Sequence, residues 1–370
     1  MDILARAKQL EAQGHDVIHL EVGEADFPTP QVVKDAAKKA IDENRTYYTA
    51  ATGLPQLREK IASYYAQRLC VAVNAKNIVV TTGASGALQL VLSAVIDAGQ
   101  KVLMADPGYP CNRNFVRMLE GCAQTVPVSA DTQYQLTHVL IRKHWDEHTV
   151  AVMLASPSNP TGTLIEREEM QRIIALVDEL NGVLIVDEIY QGLVYDQQDF
   201  TAAEYSSKIF IINSFSKYFS MTGWRLGWLI APDEYLQVID RLAQNLFLAA
   251  PTVSQYAALA ALDSEALQVY ELQKNELKAR RDFLIGGLTK LGFVINVKPA
   301  GAFYIYADVS KFTQDSFAFC SDLLERAHVA ITPGIDFGEY QAAQYVRFAY
   351  TQPIEKLQQA LDRLGKFLLA

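Results

Sequence analysis

Cysteine is scarce in this chain, and what little there is stands apart. The four cysteines, Cys70, Cys111, Cys122 and Cys320, make no C-x-x-C and do not fall beside histidines at metal-ligand spacing. That excludes a disulfide framework, and no metal is expected; idle thiols in a reducing compartment fit best. Positive charge is also in deficit. Lys and Arg number 33 against 42 Asp and Glu, a net charge of −9, and no basic block offsets it, which argues against nucleic-acid or membrane-surface partners. No apolar run approaches the roughly 20 residues that cross a bilayer. The opening Met1-Asp2-Ile3-Leu4-Ala5-Arg6 lacks the apolar core of a secretory signal. A cytoplasmic protein is therefore expected, and the sequon Asn44-Arg45-Thr46 carries no meaning without secretion. Internal repeats, low-complexity linkers and a G-x-G-x-x-G dinucleotide fingerprint are all missing.

What is present is an ordinary globular composition, half apolar and a fifth charged over 370 residues. That is enough for one large domain and a smaller one. Strand-like and helix-like stretches alternate through the middle, which predicts an α/β domain with a mostly parallel sheet. Strands are expected near 78–82, 101–105, 150–154, 183–186, 209–212 and 226–230. Helices are expected near 31–43, 83–96, 166–180 and 234–248, with a long one from about 264. Further strands at 293–297, 303–307 and 345–350 predict a separate α+β lobe, completed by the N-terminal segment.

The chemistry gathers just past strand ends. The run Ile209-Phe210-Ile211-Ile212 leads into Ser214-Phe215-Ser216-Lys217, with Arg225 shortly after. A lysine amine forms Schiff bases with aldehydes, and pyridoxal 5′-phosphate is the common aldehyde cofactor. Hydroxyls and a guanidinium suit its phosphate. Ser214 to Lys217 also reads as S-x-x-K, but that chemistry needs S-D-N and K-T-G motifs, and neither occurs. Thr82-Gly83-Ala84-Ser85 turns a strand into a helix N-terminus, a ready anion site. Tyr109 follows another strand as a platform for a flat ring. Asp187 ends the strand Val183-Leu184-Ile185-Val186, at the carboxyl edge where open α/β sheets bind ligands. Arg347 lies in a strand of Val, Phe and Tyr, a costly place for a charge without a partner.

Seven motifs, in order, carry a resemblance. They are Tyr48-x-x-x-x-Gly53, Thr82-Gly83-Ala84-Ser85, Pro107-Gly108-Tyr109, Asn159-Pro160-Thr161-Gly162, Asp187-Glu188-Ile189-Tyr190, Ser214-Phe215-Ser216-Lys217 with Gly223-x-Arg225, and Val346-Arg347-Phe348. Together the sequence resembles the class I/II aminotransferases of the PLP-dependent transferase fold type I, in the aspartate-aminotransferase-like manner. The resemblance implies an N-terminal segment, 1–40, that joins the small domain, a large cofactor-binding domain, 41–263, and a C-terminal small domain, 264–370. It implies a homodimer working on amino acids and 2-oxo acids by a ping-pong mechanism. Lys217 would hold pyridoxal 5′-phosphate as a Schiff base and move a proton at the substrate Cα. Asp187 would pair with the ring nitrogen, Asn159 and Tyr190 with the ring's phenolic oxygen, and Tyr109 would stack on the ring. Gly83, Ala84, Ser85, Ser214, Ser216 and Arg225 would hold the phosphate, and Tyr48 would reach the neighbouring subunit's cofactor. Arg347 would clamp the substrate carboxylate, with Gly23 and Asn159 assisting.

Ala25 stands where the family's G-E-P-D-F loop has proline. Ser85 stands where one aspartate-specific branch carries a lysine, which predicts neutral amino donors. Arg6, Arg113 and Arg280 are the arginines to check as replacement cations. A C–S β-lyase on the same fold is the rival reaction. A ligand-sensing regulator is disfavoured, because no helix-turn-helix domain is expected ahead of the Gly23 loop and the charge is acidic.

Overall fold

The computed structural model describes residues 2–369. Its centre is a seven-stranded sheet. In chain order, strand β1 (Ile18–His19) lies outside it; β2 (Ile78–Thr81), β3 (Lys101–Asp106), β4 (Cys122–Pro127), β5 (Thr149–Ala155), β6 (Val183–Asp187), β7 (Phe210–Ser214) and β8 (Gly227–Ile230) build it. The spatial order is β2-β8-β7-β6-β5-β3-β4. Only β8 runs against its neighbours. This is the mostly parallel sheet that alternating strand and helix signals call for.

Successive side chains on these strands point to opposite faces, so each strand feeds two cores. Ile78, Val80, Leu184, Val186 and Ile211 enter one; Val79, Ile185, Phe210 and Ile212 enter the other. Helices cover both faces, as a parallel sheet requires. The described α-helices, those of the smaller lobe included, are in chain order α1 (Asp2–Ala12), α2 (Gln31–Asp42), α3 (Pro55–Tyr64), α4 (Gly83–Val95), α5 (Pro110–Met118), α6 (His138–His144), α7 (Arg167–Glu179), α8 (Leu236–Leu246), α9 (Thr252–Ala261), α10 (Ser264–Lys290), α11 (Ser316–Ala327) and α12 (Ile354–Leu369). Helix α4 is buried along most of its length, with Ala87, Leu88, Leu90, Val91 and Leu92 enclosed. None of the described helices is long and apolar enough to cross a membrane.

A smaller antiparallel sheet follows, β11-β12-β9, from β9 (Tyr304–Asp308), β11 (Thr332–Pro333) and β12 (Tyr345–Ala349). Strand β10 (Val329–Ala330) pairs in parallel with β1, and the Leu20 carbonyl accepts the Ala349 amide at 2.7 Å. The N-terminal segment is thus stitched into the C-terminal part of the chain, and the fold is type I α/β with a small α+β domain drawn from both ends.

Two expectations need correction. The stretch Phe293–Val297 makes no strand; it contributes a single bridge, Val294 to Asp308, and Phe293 instead packs on Phe312 and Phe348. Between residues 110 and 144 the sequence reading had no elements, yet α5, β4 and α6 lie there. Strand β4 forms the sheet's edge and is mostly half-exposed, so its Cys-Ala-Gln-Thr-Val-Pro carries almost no apolar signature.

The joint between the chain's ends holds a titratable cluster. His19 contacts Glu21 at 2.7 Å and Glu11 at 3.0 Å, and Glu21 is buried with Oε2 lacking a partner. The Glu21 hydrogen bond, followed by the charges of Glu21 and Glu11, raises the His19 pKa above its ordinary 6.5 despite the burial that opposes it. A raised histidine contributes stability fully below the unfolded pKa and loses it as pH climbs through the folded one. His19→Gln should therefore lower the melting temperature by roughly 2 °C more at pH 6 than at pH 9. Equal losses at both pH values, by scanning calorimetry, would show that the cluster is not charged.

Candidate active site

The carboxyl edge of the large sheet gathers most of the anticipated groups into one cavity of about 310 Å³. Pairing brings this about. Asp187 ends β6 opposite Ala155 of β5 and Ile212 of β7, and Ser214 ends β7 opposite Gly227. Gly23, Ala84, Ser85, Tyr109, Asn159, Asp187, Tyr190, Ser216, Lys217, Arg225 and Arg347 all line the cavity. A volume of this order suits a small organic ligand.

Lys217 stands in the middle. Its Nζ donates to the Gly23 carbonyl at 2.6 Å and lies over the rings of Phe303 and Tyr190 at 5.7 and 5.8 Å. Burial pushes its pKa down to about 8; Arg347 and Arg225 push the same way, while Glu24 and Asp187 resist. Asp187 is only 6 % exposed. Its Oδ1 accepts the Ile189 amide at 3.0 Å, and it makes no ion pair among the described residues. Burial lifts its pKa to about 6, against that amide and the Lys217 charge. A carboxyl placed this way has room for a cationic partner such as a protonated ring nitrogen.

An anion cradle lies to one side. Helix α4 begins at Gly83 with no side chain capping it, so its first amides remain for a ligand. Arg225 is held over that end with a left-handed backbone, φ 54°, which costs a non-glycine residue about 1 kcal/mol or more. The approach is close: a β-carbon at Gly83 would sit 2.9 Å from the Arg225 guanidinium, and one at Gly227 would sit 2.8 Å from the Gly83 backbone. Ser214 is buried behind the cavity and does not line it; its Oγ donates to Ser216 Oγ at 2.9 Å and accepts the Ser216 amide at 3.1 Å. Gly83 also lies behind the lining, at the turn.

The opposite wall holds Arg347. Its Nη1 donates to Asn159 Oδ1 at 2.8 Å, and Nη2 donates to the Glu21 carbonyl at 2.5 Å and Thr332 Oγ1 at 3.2 Å. Its Nε is buried without a partner, and no carboxylate pairs with it among the described residues. Tyr48 is the one anticipated group placed elsewhere: it is 82 % exposed and outside its own chain's cavity.

Sequence reading passed over Tyr304, Thr222 and Glu24. Tyr304 lines the cavity and hydrogen-bonds Tyr190; a polar-tipped aromatic soon after Gly301 was the available signal. Thr222 lines the same cavity and donates to the Ser216 carbonyl at 2.8 Å. Glu24 and Lys217 share a second, adjoining cavity.

A central buried lysine of lowered pKa, a buried carboxyl, an anion cradle and a lone arginine at the carboxyl edge of such a sheet fit pyridoxal 5′-phosphate. They define a PLP-dependent enzyme of fold type I. The model of the family described as aminotransferase class I and II matches residues 15–364, and the chain belongs to that family. It is 39 % identical to a valine–pyruvate aminotransferase of Mycobacterium tuberculosis, over 100 % of this chain and 95 % of that one. A crystal structure of an aminotransferase from M. tuberculosis superposes with TM-score 0.96 at 39 % identity, covering 100 % and 96 % of the two chains. The aspartate aminotransferase of Thermus thermophilus with maleate gives 0.94 at 32 % identity, covering 99 % and 95 %. The chain is an aminotransferase and depends on pyridoxal 5′-phosphate.

A lysine amine with a pKa near 8 is a far better nucleophile at neutral pH than an ordinary one. The rate at which cofactor-free protein gains visible absorbance from added pyridoxal 5′-phosphate should rise with pH and level off above about 8. A rate still climbing near pH 10 would assign Lys217 the pKa of a solvated amine.

Proposed function

We propose that this aminotransferase moves the amino group of a neutral L-amino acid to a 2-oxo acid, in two half-reactions of a ping-pong cycle. The observation that carries the substrate class is the charge inventory of the cavity. Its lining cations are Lys217, Arg225 and Arg347, each with a role already given by the cofactor or the substrate α-carboxylate. At Ser85 there is no charge to read a second carboxylate. The three candidate replacements do not line this cavity. Arg6 pairs with Glu325; Arg280 pairs with Asp26 and Glu276 and donates to the Thr351 carbonyl; Arg113 donates to the Asp336 carbonyl at 3.4 Å. A distal carboxylate left without a cation is costly to desolvate. The likeness to a valine–pyruvate aminotransferase supports the same class.

When bound, the cofactor supplies an electron sink for the pair left at Cα as its proton departs. The chain's residues do the rest. Arg225, Ser216 and the amides of Ala84 and Ser85 hold the phosphate, with Ser214 fixing Ser216 from behind. Asp187, buried and ionised beside a cationic ring nitrogen, keeps that nitrogen protonated. Asn159 commits Oδ1 to Arg347, which leaves its Nδ2 donors for the phenolic oxygen alongside Tyr190. Tyr109 packs on the ring. Arg347 receives the substrate carboxylate on its unpartnered edge, beside Gly23. The Lys217 amine would take the proton from the substrate Cα and, in the reverse half-reaction, give it back; a pKa near 8 suits both directions.

The enzyme acts as a homodimer in this reading. Support comes from the exposed Tyr47 and Tyr48, tied by Thr252 to a segment that also exposes Leu246 and Leu248. Tyr48 would complete the partner's phosphate site. Sedimentation should give twice the 41.1 kDa chain mass; a fully active monomer would remove Tyr48 from the site.

The substrate class is tested by kcat/KM for a panel of donors with one fixed 2-oxo acid. Alanine, valine, methionine or an aromatic amino acid should lead. Aspartate exceeding every neutral donor by more than about 100-fold, some 2.7 kcal/mol, would require a distal cation and overturn the assignment. Release of pyruvate and ammonia from cysteine in place of transfer would make the enzyme a lyase.

A further inference from the structure

Tyr304 joins several parts of the cavity. It is 1 % exposed and opens β9, a buried strand. Its ring covers the Arg347 guanidinium at 4.2 Å. Its hydroxyl lies 2.8 Å from that of Tyr190, and the two rings meet edge to face. It also forces residue 23 to be glycine, since a β-carbon there would lie 2.2 Å from the Tyr304 oxygen. One side chain thus touches the proposed carboxylate clamp, the proposed partner of the cofactor's phenolic oxygen, and the glycine that holds Lys217.

The hydroxyl contact can run either way. Each phenol carries one proton, so in an O–H···O–H contact one donates and the other accepts. Burial pushes both phenols up, so both stay neutral. If Tyr190 gave its proton to Tyr304, it would have none for the cofactor. We propose that Tyr304 is a positioning residue: its hydroxyl donates to Tyr190, which directs the Tyr190 proton to the cofactor's phenolic oxygen, while its ring holds Arg347 for the substrate carboxylate. This rests on the role given to Tyr190 above.

The two halves of Tyr304 separate by experiment. A donor to the phenolic oxygen stabilises its anion, which then holds the neighbouring Schiff-base proton less tightly. A hydrogen bond received by Tyr190 strengthens the one it gives. Removing the Tyr304 hydroxyl therefore raises the pH at which that proton leaves. The other charges facing the Lys217 nitrogen are Asp187, Glu24, Arg225 and Arg347; Tyr190 faces the Arg347 charge and the neutral Tyr109 phenol. A Tyr304→Phe change alters none of them.

The test is a pH titration of the visible absorbance of the holoenzyme. Tyr304→Phe should raise the midpoint by about half a pH unit, roughly a threefold change in proton affinity, with KM for the amino donor changed less than about twofold. Tyr304→Leu, which also removes the ring, should raise KM about tenfold or more. Tyr190→Phe should raise the midpoint by itself, and adding Tyr304→Phe to it should move nothing further. Should Tyr304→Phe fail to fold, 3-fluorotyrosine at position 304, a stronger donor of the same shape, should lower the midpoint instead. A midpoint unmoved or lowered in Tyr304→Phe, or a further shift in the Tyr190→Phe background, overturns the inference. A wild-type band that survives Lys217→Ala unchanged overturns the proposed function itself.

Discussion

A buried amine and a buried carboxyl share one dry cavity, and the rest of the site answers to that. In water Lys217 would be a cation and Asp187 an anion. Here burial draws both toward neutrality, the amine down to about 8 and the carboxyl up to about 6. Neither has an ion-pair partner among the described residues. The fold tolerates this because the sheet's carboxyl edge is where parallel strands stop and loops diverge, which leaves a crevice walled by backbone. In the proposed roles, a cofactor in this crevice would supply what each group lacks: an aldehyde carbon for the amine, a cationic nitrogen for the carboxyl. Residues that would be a liability in an empty core become a matched set around a ligand.

Geometry carries the phosphate end as well. Gly83 and Gly227 hold the turn before α4 and the start of β8 so close that neither position has room for a β-carbon. That proximity brings Arg225 over the uncapped helix end, and the left-handed strain at Arg225 is the cost of aiming it. Ser214 shows how depth is arranged. It faces away from the cavity, yet it fixes Ser216, which faces in.

Much of this was legible in the sequence, for a physical reason. Asp187, Lys217, Tyr109 and the Gly83 loop each follow an apolar run that has to be a buried strand, so each lies at a strand's end. Legibility failed where that signal failed. Tyr304 opens a buried strand, and its phenol looks like core until the Tyr190 contact is seen. The residues 293–297 are apolar enough for a strand but find no ladder to join. Strand β4 has a ladder but little apolar content, because it is an edge. The short strand expected just before the Gly23 loop is there as β1, but its partner β10, two residues long, exists only through that pairing. Pairing across some 300 residues is not visible in local pattern.

Arg347 shows how the two ends of the chain serve one substrate. Its guanidinium is held by Glu21 from the N-terminal segment, Asn159 from the loop after β5, and Thr332 of β11. All three are neutral oxygens. They orient the fork without cancelling its charge, and a buried charge lacking a counter-ion carries a penalty of several kcal/mol. In the proposed role, a substrate carboxylate would remove that penalty, so affinity for the α-carboxylate would be set by how the apo site is built. In the proposed roles, Asn159 would be shared between Arg347 and the cofactor's phenolic oxygen, while Tyr304 is shared between Arg347 and Tyr190. In those roles, carboxylate binding would be linked through these shared contacts to the hydrogen bonds on the cofactor's phenolic oxygen.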